Sequence, residues 1–259
     1  VTFFKKLLAS VGIGAARVDA RLSQDSLVPG DQVTGDIHLT GGEVAQEIDE
    51  IYMYVITHYE REENQKKGRE ECVLAKHRLT EKIVLHPNET IALPFSFTLP
   101  YQTPLTMGRQ PVYLRTGLDI KMAMDPGDSD FIDVRPHPYM EKVLDAIQSI
   151  GFQLYKVDCE YNRYLGREYP FVQAFEFRPV GILRGRVEEL DVFFFLEETG
   201  LEIFFEVDRR ARGYLRAQEH AFDLEERYKR LYLSADDLEL PMSELAEMIE
   251  KRTLTQIPS

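Results

Sequence analysis

Apolar and polar residues alternate with a period of two over most of the chain. Val18, Ala20 and Leu22 alternate with charged or polar neighbours, and so do Val33, Gly35, Ile37 and Leu39. Successive side chains of a strand point to opposite faces, so this pattern predicts half-buried β-strands. Between the two runs, Val28-Pro29-Gly30-Asp31 supplies a turn: Pro fixes φ, and Gly is free to take positive φ. Ile51, Met53 and Val55 interleave with Tyr52, Tyr54 and Ile56, which predicts a strand apolar on both faces, as inside a two-layer sandwich. Residues 60–71 are almost all charged or polar and read as an exposed hairpin loop, after which Cys72 to Leu85 returns as a strand. Pro94 lacks the N–H that a central ladder needs, so Ile91–Leu99 reads as an edge or a bulge. Val112–Leu118 and Ile120–Met124 continue the pattern, Asp125-Pro126-Gly127-Asp128 turns, and residues 131–135 alternate again. Short strands spaced by about 8–12 residues are the signature of an all-β sandwich.

A helical period appears in three places. Phe4, Leu7, Leu8 and Val11 predict a helix over residues 2–11, stopped by Gly12 and Gly14. Met140, Val143, Leu144 and Ile147 predict a second, with Pro138 in its first turn and Gly151 at its end. Leu245, Met248 and Ile249 predict a third, capped by Ser243. Strand patterns resume between the last two. Phe171, Phe175 and Phe177 share a face, and Glu198-Thr199-Gly200 joins Leu190–Glu197 to Leu201–Asp208 as a hairpin. The expected architecture is therefore mainly β: two tandem β-sandwich domains joined by a short helix, with short N- and C-terminal helices. The expected boundaries are 1–136, a linking helix over 137–150, and 151–259.

Several groups of residues resemble a known family. Val28-Pro29-Gly30-Asp31, then Leu93-Pro94-Phe95-Ser96-Phe97-Thr98-Leu99-Pro100, then Val112-Tyr113-Leu114 follow the order of the arrestin superfamily N-domain. Phe3-Phe4-Lys5-Lys6-Leu7, Gly117-Leu118-Asp119-Ile120, Pro136-His137-Pro138, Met140-Glu141-Lys142-Val143, Phe171-Val172-Gln173 and Glu206-Val207-Asp208-Arg209-Arg210-Ala211-Arg212-Gly213 resemble the bacterial sporulation-control protein M family. The resemblance spans essentially the full chain, although Glu60–Glu71 and the tail after Lys251 are not expected to match. It implies two arrestin-like β-sandwiches in the cytoplasm. It also implies a negative regulator of sporulation initiation, upstream of the phosphorelay, with links to cell-division and cytoskeletal proteins.

Composition narrows the chemistry. The 259 residues carry 31 Lys and Arg against 44 Asp and Glu, a net charge of −13, which disfavours a nucleic-acid partner. No apolar run approaches the roughly 20 residues of a spanning helix, and Phe3–Leu8 is too short for a secretory apolar core. Cys72 and Cys159 read as two reduced thiols. Nucleophile elbows, phosphate-cradling glycine loops, H-E-x-x-H and C-x-x-C are absent from the sequence. The expected function is thus a non-enzymatic adaptor with no cofactor, binding proteins through sheet edges and loops.

Three features stand against that background. Asp208-Arg209-Arg210-Ala211-Arg212-Gly213 concentrates basic charge on an acidic chain, so Arg209, Arg210 and Arg212 read as a docking point for an acidic or phosphorylated partner, or as intramolecular ion pairs. Asp125, Asp128 and Asp130 place carboxylates in one turn, which suits a hard cation or simple solvation. This gives a metal-dependent binding protein as one alternative function. The N-terminal apolar stripe beside Lys5 and Lys6 gives the other, a peripheral membrane or sorting adaptor with weak lipid affinity. His38, His58 and His77 fall on separate predicted strands, and His137 in the linker turn.

Overall fold

A computed structural model of the chain describes residues 16–63, 66–80, 82–120, 127–208 and 227–254. The described residues are mainly β and divide into two compact units. The first is drawn from Val1–His58, Glu71–Thr106 and Pro111–Arg135, the second from Tyr59–Glu70, Met107–Gln110 and Pro136–Ser259. The expected helix over residues 2–11 lies outside the described residues.

The first unit has two sheets. Strands β1 (Arg17–Leu22), β2 (Gln32–Thr40) and β6 (Thr90–Thr98) form one in the order β1-β2-β6. In the other, β3 (Gln46–Glu63) pairs with β4 (Lys66–Thr80), β5 (Ile83–Leu85) and β7 (Val112–Ile120), and β7 pairs with β8 (Gly127–Phe131). Val33, Ile37 and Leu39 of β2, Ile51, Met53 and Val55 of β3, and Val112 and Leu114 of β7 are all buried, so the alternating residues build the core. Pro94 sits on β6, an outer strand, where its missing N–H removes nothing from a central ladder. Tyr52 and Tyr54 stay half-buried on the opposite face of β3, beneath the Lys76 ammonium.

Two expectations are corrected here. Residues 60–63 and 66–71 are strand and not loop: β3 runs to Glu63 and β4 starts at Lys66. Their polar composition fits because both faces of this stretch are largely exposed, so no apolar alternation marks it. Asp128 and Asp130 do not lie in a turn either. They are alternate residues of β8, which pairs with β7 through Thr116↔Asp128 and Leu114↔Asp130.

In the second unit, β9 (Phe152–Tyr161), β10 (Phe171–Pro179), β11 (Glu189–Glu197), β12 (Gly200–Asp208) and β13 (Lys229–Ser234) form an antiparallel meander in chain order. Glu60 at the end of β3 pairs in parallel with Glu160 of β9. The Glu198-Thr199 turn closes the β11–β12 hairpin, with Glu197 opposite Gly200. Phe175, Phe177, Val192, Ile203 and Phe205 are fully buried. Helix α1 (Pro138–Ser149) begins after His137, whose Nδ1 accepts the Tyr139 N–H. Helix α2 (Ala235–Leu238) is a single turn held by a reciprocal Ser234–Asp237 cap. Helix α3 (Met242–Leu254) packs on α1 and on β13. From α3, the Arg252 guanidinium donates to the Arg230 carbonyl on the outermost strand at 2.6 Å.

Candidate functional site

Of the two carboxylates of β8, Asp128 is occupied with structure, whereas the Asp130 Oδ2 is buried without a hydrogen-bond partner. Asp128 accepts the Ala20 N–H at 3.0 Å through Oδ2 and the Ser129 N–H at 3.0 Å through Oδ1. Asp130 lies beside it. Burial, then the neighbouring Asp128 charge, pushes the Asp130 carboxyl up to about 6. Asp19, the other carboxylate nearby, is tied to Arg21 at 2.7 Å. Asp125 lies outside the described residues. Among the described residues, no three His, Cys, Asp or Glu side chains gather around one point as a metal ion requires.

His58 and His77 have different ring partners. His58 meets Tyr113 edge-on. His77 stacks on Phe97 with ring centroids 4.4 Å apart, and burial pushes its imidazole down. Cys159 is buried, and Cys72 is half-buried on β4, where burial raises its thiol. A buried thiol held protonated is a poor nucleophile.

The densest electrostatic feature is one face of the second unit's sheet. Cross-strand register puts Glu160 (β9), Glu176 (β10), Asp191 (β11) and Glu206 (β12) on the same side, since Glu160 faces Val172, Glu176 faces Asp191 and Asp191 faces Glu206. Like charges directly opposite each other repel. Burial first, then Glu189, Glu206, Glu160 and Glu176, drives the Asp191 carboxyl up to about 8. Cations relieve part of the row: Arg227 grips Glu206 with two hydrogen bonds of 2.9 and 3.2 Å, Arg178 lies 3.5 Å from Glu176, and Lys156, opposite Glu176, offsets Glu160.

Farther along the same face the charges are resolved. Glu202 is 2% exposed, and both Arg167 and Arg230 hydrogen-bond its carboxylate. Burial alone would raise Glu202; the two guanidinium groups outweigh it and hold the carboxyl below its ordinary value. Arg167 also lies over the Phe195 ring at 4.2 Å. Between the two charged regions, Leu165, Val172, Phe193, Phe195 and Tyr228 form an apolar cluster. Composition gave no sign of this row: its members are scattered through the sequence, and only the strand register assembles them.

Arg209, Arg210 and Arg212 lie outside the described residues. In sequence they follow Asp208, which faces Glu189 in the β11–β12 ladder and whose carbonyl accepts the Glu188 N–H. Among the described residues no helix is long and apolar enough to cross a membrane.

Comparison with known proteins agrees with this arrangement of strands. The crystal structure of the sporulation control protein Spo0M from Bacillus subtilis is similar with a TM-score of 0.85 and 40% identity, covering 92% of this chain and 98% of that one. The sporulation-control protein Spo0M of Bacillus subtilis (strain 168) is 42% identical over 252 residues, 97% of each chain. The family model described as SpoOM protein matches residues 4–211. By both the extent of that match and the end-to-end identity, the chain belongs to the Spo0M family.

Proposed function

We propose that this protein is a regulator of sporulation, acting in the cytoplasm by binding other proteins and not by catalysis. End-to-end similarity to a sporulation-control protein carries this reading. The carboxylate row Glu160, Glu176, Asp191 and Glu206, with Lys156, Arg178 and Arg227 set among it, supports protein contact as the means, because a patterned charged face attracts a complementary partner surface and rejects a mismatched one. The arginines after Asp208 offer the opposite polarity to an acidic or phosphorylated partner.

The test is replacement in Bacillus subtilis. Expressed in a strain lacking its own Spo0M, this chain is expected to restore the parental timing and frequency of spores. A folded, normally abundant chain that leaves both unchanged from the deletion strain overturns the regulatory reading. The double variant Asp191→Lys, Glu206→Lys is expected to fold yet fail in the same strain. Full restoration by that variant removes the acidic face from the mechanism while leaving the regulatory role intact.

A further inference from the structure

The loop between β10 and β11 carries the most exposed large apolar side chain among the described residues. Ile182 is 87% exposed, while its neighbour Leu183 is 8% exposed. The loop is held in shape. Val180 N–H donates to the Gly151 carbonyl at 2.8 Å, and Arg186 N–H to the Leu183 carbonyl at 3.1 Å. Leu183 and Val187 are buried at its base. Gly181 (φ +60°) and Gly185 (φ +94°) take left-handed conformations, and nothing lies within 4 Å of where their β-carbons would be. The turn thus projects into open space with Ile182 at its tip.

Its charge is opposite to that of the chain. Arg184 and Arg186 follow Ile182 in the same turn and are both exposed. At the same end of the sheet, Arg178 lies 3.3 Å over the ring of Tyr155, which is 56% exposed. Tyr155 is extruded by a bulge, since Lys156 faces Glu176 and Leu154 faces Phe177. The opposing charges nearby are Glu176, paired with Arg178 at 3.5 Å, and Glu188 and Glu189 at the start of β11. Asp208, opposite Glu189, adds a further carboxylate at the base of the loop; at physiological salt the screening length is about 8 Å, so the positive charge that counts is that of the turn itself, Arg184 and Arg186.

We propose that the Gly181–Arg186 turn docks on an anionic lipid surface, with Ile182 entering the headgroup–acyl boundary and Arg184 and Arg186 meeting lipid phosphates. An exposed apolar side chain with two exposed arginines in the same turn matches a soft, negatively charged interface, where apolar burial and charge attraction add.

The chain contains no tryptophan, so Ile182→Trp places a single fluorophore at the tip. Full-length Ile182→Trp is mixed with vesicles of phosphatidylcholine alone and of phosphatidylcholine with phosphatidylglycerol. A blue shift with the anionic vesicles only, reversed by high salt, is expected. No shift with anionic vesicles overturns the proposal. In co-sedimentation, the triple variant Ile182→Ser, Arg184→Gln, Arg186→Gln is expected to bind about 25-fold more weakly than the parent, at roughly fivefold for each of two arginines, with an unchanged melting temperature. Equal recovery of parent and triple variant with the vesicles also overturns it, because the contact then lies elsewhere on the chain.

Discussion

Asp128 on β8 accepts the main-chain N–H of Ala20 on β1 at 3.0 Å, so a strand from each sheet of the first unit is tied to the other. Ala20 is buried, and its N–H points to a carboxylate and not to water. Asp128→Ala leaves that donor unsatisfied and is expected to cost about 1–3 kcal/mol. Urea unfolding measures the loss, and amide exchange at Ala20 accelerates with it. An unchanged Ala20 exchange rate would show that the carboxylate does not hold this seam.

Stability is expected to fall as the pH rises toward 8. Folding raises the Asp130 carboxyl to about 6 and the Asp191 carboxyl to about 8. A carboxyl raised on folding favours the folded chain most at low pH, where it is protonated in both states. That advantage is lost as the pH climbs through the folded-state value. Asp133, Asp237 and Glu202 are shifted downward and act in the opposite sense, but only in the acidic range below their ordinary values. Burial lowers His77, which works against the raised carboxyls below its ordinary value of 6.5, and raises Glu160, which works with them; from about pH 6.5 to 8 Asp191 sets the slope. The urea midpoint is expected to decline across that range in the parent and to flatten in the double variant Asp130→Asn, Asp191→Asn.

Glu202 has two partners of unequal exposure to itself. Its side chain is 3% exposed, against 46% for Arg167 and 64% for Arg230. Removing either arginine leaves one counter-charge in place, at an expected cost of about 1 kcal/mol. Removing both strands a buried carboxylate, and the expected cost of Arg167→Ala with Arg230→Ala is about 3–5 kcal/mol, more than the two single changes summed. A double-mutant cycle by chemical denaturation reads the excess directly. Strict additivity would mean that water reaches Glu202 once the first arginine is gone.

Two glycines separate crowding from backbone conformation. A β-carbon at Gly35 would stand 2.2 Å from the Arg21 carbonyl oxygen and 2.7 Å from the Phe95 ring. Gly35→Ala forces β1 and β6 away from β2, and about 1–3 kcal/mol is expected from overpacking. Gly181 has open space around it but φ +60°, so Gly181→Ala is expected to cost about 1–2 kcal/mol from handedness alone. Thermal unfolding of the two variants ranks the effects, and crystal structures should show displaced strands only for Gly35→Ala.

Much of the fold was legible in the residues. Pro94 marked an outer strand, Glu198-Thr199-Gly200 marked a hairpin, and the Met140, Val143, Leu144, Ile147 stripe marked a helix whose buried residues are those same four with Ala146. The strand ends around residues 60–71 were not, because a stretch exposed on both faces carries no apolar alternation. Asp125-Pro126-Gly127-Asp128 looked like turn chemistry, yet Asp128 and Asp130 serve β8, where register with β7 decides their place. The row from Glu160 to Glu206 was hidden for a related reason: residues on four strands meet only after the ladders are set. Ile182 sits in a short Gly-flanked stretch whose sequence does not distinguish the inward Leu183 from its outward neighbour. Arg209, Arg210 and Arg212, legible as a basic cluster, lie outside the described residues.

The guanidinium of Arg252 on the Arg230 carbonyl has a consequence for self-association. β13 is the last strand of its meander, and an uncovered margin of that kind is a template onto which another copy can add its own backbone. Here a tethered cation from α3 occupies one of the acceptors such a copy would need. α3 thereby obstructs backbone addition at Arg230, and its removal is expected to free that carbonyl for an incoming strand.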